Sequence, residues 1–114
     1  MFELFARYLK TKAHLSDDEI EQVRVHTIAK KVRKRQYFLL EGEICKYSGF
    51  TVKGAMRQYS VGDEGKEHVI NLYLENWWVS DLESLPMLTP SAYNIDAWED
   101  TELLTITKAE SFML

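Results

Sequence analysis

Several features that mark whole classes of protein are missing from this sequence of 114 residues. It has one cysteine, Cys45, which excludes an internal disulfide framework, and its three scattered histidines argue against a Cys/His zinc site. No apolar run reaches the roughly 18 to 20 residues that a membrane-spanning helix needs, and the N-terminus lacks the charged-then-apolar order of a signal peptide. We therefore predict one soluble, cytoplasmic domain with no membrane partner and no bound metal.

Positive charge is absent from one long segment of the chain. The formal net charge is -4, but residues 1–66 carry 13 Lys and Arg against 9 Asp and Glu, whereas residues 67–107 carry 8 Asp and Glu and no Lys or Arg. We do not expect such a chain to bind nucleic acid by itself, because that binding is built largely on Lys and Arg meeting phosphates. The basic cluster at residues 30–35 is typical of a solvated edge strand, and the alternative is a nucleic-acid or partner patch.

The start of the chain predicts two helices within residues 1–26. Apolar residues stand at i, i+3, i+4 and i+7 from Phe2, which is one stripe of a short helix. The second helix carries a complete start signal, because Ser16 and Glu19 have the spacing of a capping box and acidic residues occupy the first turn. This pattern indicates a capped structural helix and not a carboxylate site.

From about residue 27 the pattern alternates between apolar and polar residues, as in strands. Gly42 and Gly54 stand where the chain must turn, and residues 62–65 have the composition of a hairpin loop. Short strands with no helices between them predict an antiparallel barrel or a double-sheet roll over residues 27–107. The predicted strands are 28–33, 37–40, 47–52, 55–61, 67–74, 91–97 and 102–106.

The chain ends shortly after a second capping box, formed by Thr107 and Glu110. The helix that this box predicts would have about two turns and would end in three apolar residues at Leu114. Helices of that length are marginal by themselves. We therefore expect residues 108–114 to begin a helix that continues in a longer natural protein or docks on a partner.

A resemblance to a known family extends over nearly the whole chain. The two predicted helices are followed by YFLLEGEICKYSGFTVKGAMRQYSV, by the hairpin DEGKEHVINLYLENWW and by SDLESL and PSAYNIDAWEDTELLTI. With Gly42 and Gly54 in register, this order resembles the cyclic-nucleotide-binding domain of bacterial Crp/Fnr-type transcription regulators. The resemblance implies a mainly β fold with flanking helices, a double-stranded β-helix or jelly-roll, with a ligand pocket inside the roll. On this basis residues 1–114 form one sensor domain.

The resemblance also implies an output and partners. Family members continue into a long dimer helix and a helix-turn-helix unit, so we expect a homodimer in the full-length protein and DNA binding only through a domain outside this chain. A small-molecule effector in the roll would shift the helix that starts at Thr107. We expect an effector-sensing domain and no enzyme, since no recognisable nucleophile motif surrounds His68 or Cys45. The alternative is a ligand-free β-roll that serves as a structural or dimerisation module.

Family members that bind cyclic nucleotides share a phosphate site. A Gly-Glu pair opens a short helix whose amides meet the phosphate, the Glu takes a ribose hydroxyl, and an Arg neutralises the phosphate. The resemblance places Ser80 and Asp81 at the Gly-Glu pair and Ser91 at the Arg, so the cation is missing. Burying an uncompensated phosphate is costly, and we expect a different small ligand, or none, in place of cyclic AMP and no cofactor. The candidate ligand-binding residues are Ser80, Asp81, Ser91, Ala92, Trp78 and, as a charge partner from a neighbouring strand, Arg57.

Overall fold

A computed structural model describes residues 2–81 and 84–107 of the chain. Two helices lead into strands, and one short helix interrupts them. The predicted helix at residues 108–114 lies outside the described residues. In chain order the elements are α1 (Phe2–Lys12), α2 (Asp17–His26), β1 (Ile28–Val32), β2 (Tyr37–Leu39), β3 (Tyr47–Lys53), β4 (Met56–Val61), β5 (Glu67–Tyr73), β6 (Trp78–Val79), α3 (Ser84–Met87), β7 (Asn94–Ala97) and β8 (Thr101–Thr107).

The predicted capping box at the start of α2 is confirmed. The Glu19 N–H donates to Ser16 Oγ at 3.2 Å, and the Ser16 N–H donates to Glu19 Oε1 at 3.0 Å. The bond from the Ser16 amide is the largest cause of a lowered pKa at Glu19. Two helix-terminal N–H groups that would otherwise lack partners are satisfied in this way.

The predicted mainly β double-sheet roll is also confirmed. The first sheet has the strand order β1-β8-β3-β6, the second has the order β2-β7-β4-β5, and their strand pairs are antiparallel. Because alternate residues of a strand point to opposite faces, each sheet turns one set of apolar side chains toward the other sheet. The buried core between the sheets consists of Val32, Leu39, Cys45, Met56, Tyr73, Val79, Leu85, Ile95, Ala97 and Leu103.

The two N-terminal helices cover the outer face of the first sheet. Phe5 and Leu9 of α1 are buried there, and the rings of Phe5 and Phe50 lie with their centroids 4.9 Å apart. An isolated helix as short as α1 is marginal in water, so this contact is what holds it. Burial of each such side chain stabilises the fold by roughly 1.5–3 kcal/mol.

Glycine is required at one of the predicted turns for two reasons. Gly54 has a φ of +101°, a region that L side chains rarely adopt, and a Cβ added there would lie 2.5 Å from the Asp100 carbonyl oxygen. Gly42 also has a positive φ, of +91°, but open space surrounds it. Both predicted turns are confirmed, and Gly54 in addition lets two loops approach each other closely.

The structure contains one strand that was not predicted, and one predicted strand begins later than expected. Strand β6 contains only two residues, Trp78 and Val79, which is too short for an alternating pattern to show. Strand β7 begins at Asn94 and not at Ser91, because the Tyr93 N–H donates to Ser91 Oγ at 3.0 Å and forms a local turn there. The basic strand β1 lies at a sheet edge, as predicted.

Candidate functional site

A buried carboxylate is hydrogen-bonded to the start of the short helix α3. Asp81 is 2% exposed, and its Oδ1 accepts a hydrogen bond from the Ser84 N–H at 2.9 Å. Its main-chain carbonyl accepts from the Leu85 N–H at 2.9 Å. The side chain and the carbonyl of Asp81 therefore hold the first two residues of α3 by hydrogen bonds.

The second oxygen of this carboxylate is also engaged. The Ser91 hydroxyl donates to Asp81 Oδ2, and Ser91 is itself only 4% exposed. A hydrogen bond to an ionised acceptor is stronger than one between neutral groups, and burial strengthens it further. Asp81, Ser84 and Ser91 thus form a closed cluster of hydrogen bonds, which we call the Asp81 cluster.

The loop before β3 is bonded to the Asp81 cluster at three points. The Gly42 N–H donates to the Ser91 carbonyl, and the Ser91 N–H donates to the Glu43 carbonyl, each at 2.8 Å. The Cys45 N–H donates to Ser84 Oγ at 2.9 Å. A displacement of residues 42–45 would therefore be transmitted directly to the backbone of Ser91 and to the start of α3.

The thiol of Cys45 lies beside this cluster in the core. It is 2% exposed, its Sγ lies 3.3 Å from the Tyr47 carbonyl oxygen, and burial raises its pKa. A raised pKa keeps the sulfur as the thiol at neutral pH, whereas reactive cysteines have a lowered pKa and partial exposure. The surroundings of Cys45 fit a packing role.

A second polar group inside the roll was not predicted from the sequence. The Tyr73 hydroxyl lies 3.1 Å from Gln58 Oε1 and 3.2 Å from the Ser80 carbonyl oxygen, and Asn71 Nδ2 donates to Gln58 Oε1 at 2.7 Å. Burial raises the pKa of Tyr73 to about 12. The signal that could have revealed this group is the alternation of β4, which places the polar Gln58 on the same face as the core residue Met56.

Arg57 does not join the Asp81 cluster, contrary to the predicted pairing. It neighbours the inward-facing Met56 on β4 and therefore points to the outer face of the second sheet. There its Nε donates to Asp96 Oδ1 at 2.7 Å and its Nη1 to Glu67 Oε1 at 3.0 Å, and its guanidinium lies 4.1 Å from the Tyr59 ring centroid. The hydrogen bonds to Asp96 are the largest cause of a raised pKa at Arg57.

The structure places the predicted ligand-binding residues Trp78 and Ala92 outside the Asp81 cluster. Trp78 packs beneath α1, where its indole Nε1 donates to the Tyr8 hydroxyl at 3.2 Å and its ring meets Phe5 edge-on. This position follows from strand alternation, since the next residue, Val79, is the one in the core. Ala92 is exposed beside Ser91. Of the candidate residues, the structure thus brings together Asp81 and Ser91, whereas the carbonyl of the buried Ser80 is bonded to the Tyr73 hydroxyl.

Comparison with known proteins identifies one matching family and many similar folds. The model of the cyclic nucleotide-binding domain matches residues 29–113. Comparison with curated protein sequences gives no match. Within residues 2–81 and 84–107, no helix is long and apolar enough to cross a membrane.

Three solved structures illustrate the similarity of fold. The sensor domain of the transcriptional regulator DNR from Pseudomonas aeruginosa superposes with a TM-score of 0.80 at 16% identity, over 97% of this chain and 76% of that one. The catabolite activator protein of Thermus thermophilus gives 0.74 at 17% identity, over 92% and 48%. A cyclic AMP-bound mutant of the regulatory subunit of a cAMP-independent protein kinase A from Trypanosoma brucei gives 0.82 at 14% identity, over 99% and 41%.

These similarities are confined to part of the longer proteins. The chain spans between 39% and 48% of the length of the first five structures that match it. At identities of 13% to 17% the similarity concerns the fold and not the ligand.

Proposed function

Because the chain belongs to the cyclic nucleotide-binding domain family, we propose that it is the effector-sensing regulatory domain of a Crp/Fnr-like transcription regulator in which cyclic nucleotide recognition is altered. The role is regulatory and not catalytic. The observation that carries the proposal is the Asp81 cluster, in which both carboxylate oxygens already accept hydrogen bonds from the chain itself.

The Asp81 cluster opposes nucleotide recognition at the position that the resemblance assigns to the ribose. A ribose hydroxyl would have to displace the Ser91 hydroxyl or the Ser84 amide from the Asp81 carboxylate. Each of these groups is buried, and a buried donor that loses its acceptor costs about 1–3 kcal/mol. A nucleotide would therefore have to break internal bonds before it gained its own.

The charge distribution supports the same proposal. Residues 67–107 contain no Lys or Arg, and Arg57, the cation that was expected to reach the site, is held on the outer face by Asp96 and Glu67. Swinging Arg57 inward would leave the buried carboxylate of Asp96 without its partner, which is strongly unfavourable. The position beside the Asp81 cluster thus offers little compensation for a buried phosphate.

The segment that would carry the signal out of the domain comes directly after the last described strand. Strand β8 ends at Thr107, and residues 108–114 follow it directly. An effector changes the pose of that following segment only if it binds one pose more tightly than the other. In the proposed full-length protein this segment leads to a dimer partner and to a DNA-binding unit.

A second candidate function is a ligand-free roll that serves as a structural or dimerisation module. The closed Asp81 cluster favours it as well, since internal satisfaction of the site removes the need for a ligand. Calorimetric titration of the folded chain with a panel of anionic and neutral metabolites separates the two. A saturable heat from any panel member supports the sensing domain, and no heat across the panel supports the module.

The altered recognition itself is tested by restoring a cation. Ser91→Arg breaks the hydrogen bond to Asp81 and adds a positive charge, and Ala92→Arg adds the same charge one residue away at an exposed position. We expect Ser91→Arg to gain affinity for cyclic AMP by calorimetry and Ala92→Arg to gain none. Equal behaviour of the two folded variants would contradict the assignment of this position.

A further inference from the structure

Among the residues that the structure describes, one end of the roll is open between the two sheets. A groove of about 750 Å³ lies there, within the 300–1,000 Å³ that is typical of small-molecule sites. Its floor is formed by core residues Leu39 and Cys45, and its rim by exposed residues such as Ile28 at 65% and Tyr47 at 47%. It is separate from the Asp81 cluster, none of whose residues lines it.

The exposed apolar side chains of this groove occupy inward-facing positions. Ile28 and Lys30 lie on the same face of β1 as Val32, which belongs to the core between the sheets. Thr105 pairs with Ile28 and shares a face of β8 with the core residue Leu103. The groove is therefore a continuation of the core between the sheets that residues 2–81 and 84–107 leave uncovered.

Positive charge accompanies this apolar surface. Lys30 and Lys46 line the groove, and within the described part of the chain neither takes part in an ion pair. Glu43 also lines the groove, but its Oε1 accepts from the Leu40 N–H at 2.8 Å and is held at the turn. Both lysines are exposed at the groove, so each can meet an anionic group without first giving up an ion pair.

From this juxtaposition we infer that the open end of the roll is a binding site for a small amphipathic anion, with an aromatic or aliphatic body and one carboxylate or sulfonate group. The apolar body lies against Phe38, Ile44 and Tyr47, and the anionic group meets Lys30 and Lys46. Burial of the body supplies most of the affinity, and the two lysines supply orientation and selectivity for anions.

A ligand here would also be connected to the Asp81 cluster. The groove wall at residues 42–45 donates to the Ser91 carbonyl and to Ser84 Oγ and accepts from the Ser91 amide. A ligand that prefers one position of this wall biases the start of α3. The existence of this binding site does not depend on the proposed function. Only the role of the groove as the effector site of the sensing domain rests on that proposed function.

The test uses the folded chain of 114 residues and two probes of the same aromatic shape. Anilinonaphthalene sulfonate carries an anionic group, and phenylnaphthylamine lacks it. We expect saturable, stoichiometric fluorescence enhancement with the sulfonate and at least about tenfold weaker binding of the neutral probe, the equivalent of about 1.4 kcal/mol. Equal affinity for both probes would overturn the anion selectivity.

Variants locate the site. Lys30→Gln and Lys46→Gln should each weaken binding of the sulfonate by at least about fivefold and leave the neutral probe unchanged. Lys66→Gln, on the exposed β4–β5 hairpin and outside the groove, is the matched control and should bind as the wild type does. Sulfonate binding that is insensitive to both groove lysines would overturn the assignment.

Two further measurements test whether residues 108–114 fill the groove instead of a ligand, and whether the groove is connected to the Asp81 cluster. Binding that appears only after removal of residues 108–114 would overturn the proposal and assign the groove to that segment. With the intact chain, saturation by the sulfonate should shift the amide resonances of Glu43, Cys45 and Ser91, which lie along the groove wall and its bonds. Unchanged Ser91 resonances at saturation would overturn the connection to the Asp81 cluster.

Discussion

The Ser91 hydroxyl donates a hydrogen bond to the Asp81 carboxylate across ten positions of sequence, and both residues are buried. This bond joins the strand connection before β7 to the first turn of α3. Because the same carboxylate also accepts from the Ser84 amide at the start of α3, one side chain is bonded to both sides of the candidate site.

Loss of the Ser91 hydroxyl should destabilise the fold. In Ser91→Ala, a buried carboxylate oxygen loses a charge-assisted bond, and we expect the free energy of unfolding to fall by about 1.5–3 kcal/mol. Urea denaturation followed by circular dichroism measures the change. Ser60→Ala, on a partly exposed serine of β4, should change stability by less than about 0.5 kcal/mol. Equal losses in the two variants would contradict this account of the cluster.

The Arg57 pair on the outer face of the second sheet should behave as a buried ion pair. Asp96 is 3% exposed, so Arg57→Met leaves an uncompensated charge and should cost about 3–5 kcal/mol. Replacing Asp96 by Leu in the same chain should recover most of that loss. Glu67→Gln should cost less than about 1 kcal/mol, because the Glu67 side chain is 47% exposed. A double variant as unstable as Arg57→Met would rule out the pairing as the cause.

Two glycines offer a matched comparison of strain and crowding. Gly54 and Gly65 both have a positive φ, of +101° and +79°, but only at Gly54 would a Cβ approach backbone atoms, 2.5 Å from the Asp100 oxygen. Gly65→Ala should cost about 1–2 kcal/mol from backbone strain alone. Gly54→Ala should cost about 1–3 kcal/mol more. Similar thermal midpoints for the two variants would show that the Asp100 loop gives way.

The buried tyrosines predict a loss of stability at alkaline pH. Burial raises the pKa of Tyr73 to about 12, and burial also raises the pKa of Tyr59. The pKa of Tyr73 is thus higher in the folded state than in the unfolded state, where it is near 10. The folded state therefore favours the protonated tyrosine, and the free energy of unfolding is unaffected below about pH 10 but falls as the pH rises toward about 12. Urea midpoints measured across this range should fall less steeply in Tyr73→Phe than in the wild type. Tyr47→Phe, at an exposed tyrosine, should keep the wild-type slope.

Local patterns predicted much of the fold, because its signals lie within a few residues of one another. The capping box of Ser16 and Glu19 and the turn at Gly54 are examples, and both are present in the structure. Strand β6 escaped prediction because two residues cannot display alternation. The outward direction of Arg57 follows from the inward position of Met56, so alternation along β4 contained that information.

The candidate site was less accessible to prediction. The resemblance indicated Asp81 and Ser91 as equivalents of ligand-binding positions, but their mutual hydrogen bond depends on how the α3 turn and the connection before β7 pack together. The Gln58–Tyr73 contact has the same origin, since its residues come from neighbouring strands whose register includes a bulge. Tertiary packing of this kind leaves no local pattern in the sequence.

The most direct test of the altered recognition is a calorimetric titration of the wild-type chain with cyclic AMP. The closed Asp81 cluster and the lack of Lys and Arg in residues 67–107 predict no saturable heat up to a nucleotide concentration of about 1 mM. A dissociation constant of that size corresponds to a binding free energy of about -4 kcal/mol. Stoichiometric binding with a dissociation constant of about 1 µM, abolished in Asp81→Ala, would contradict the account.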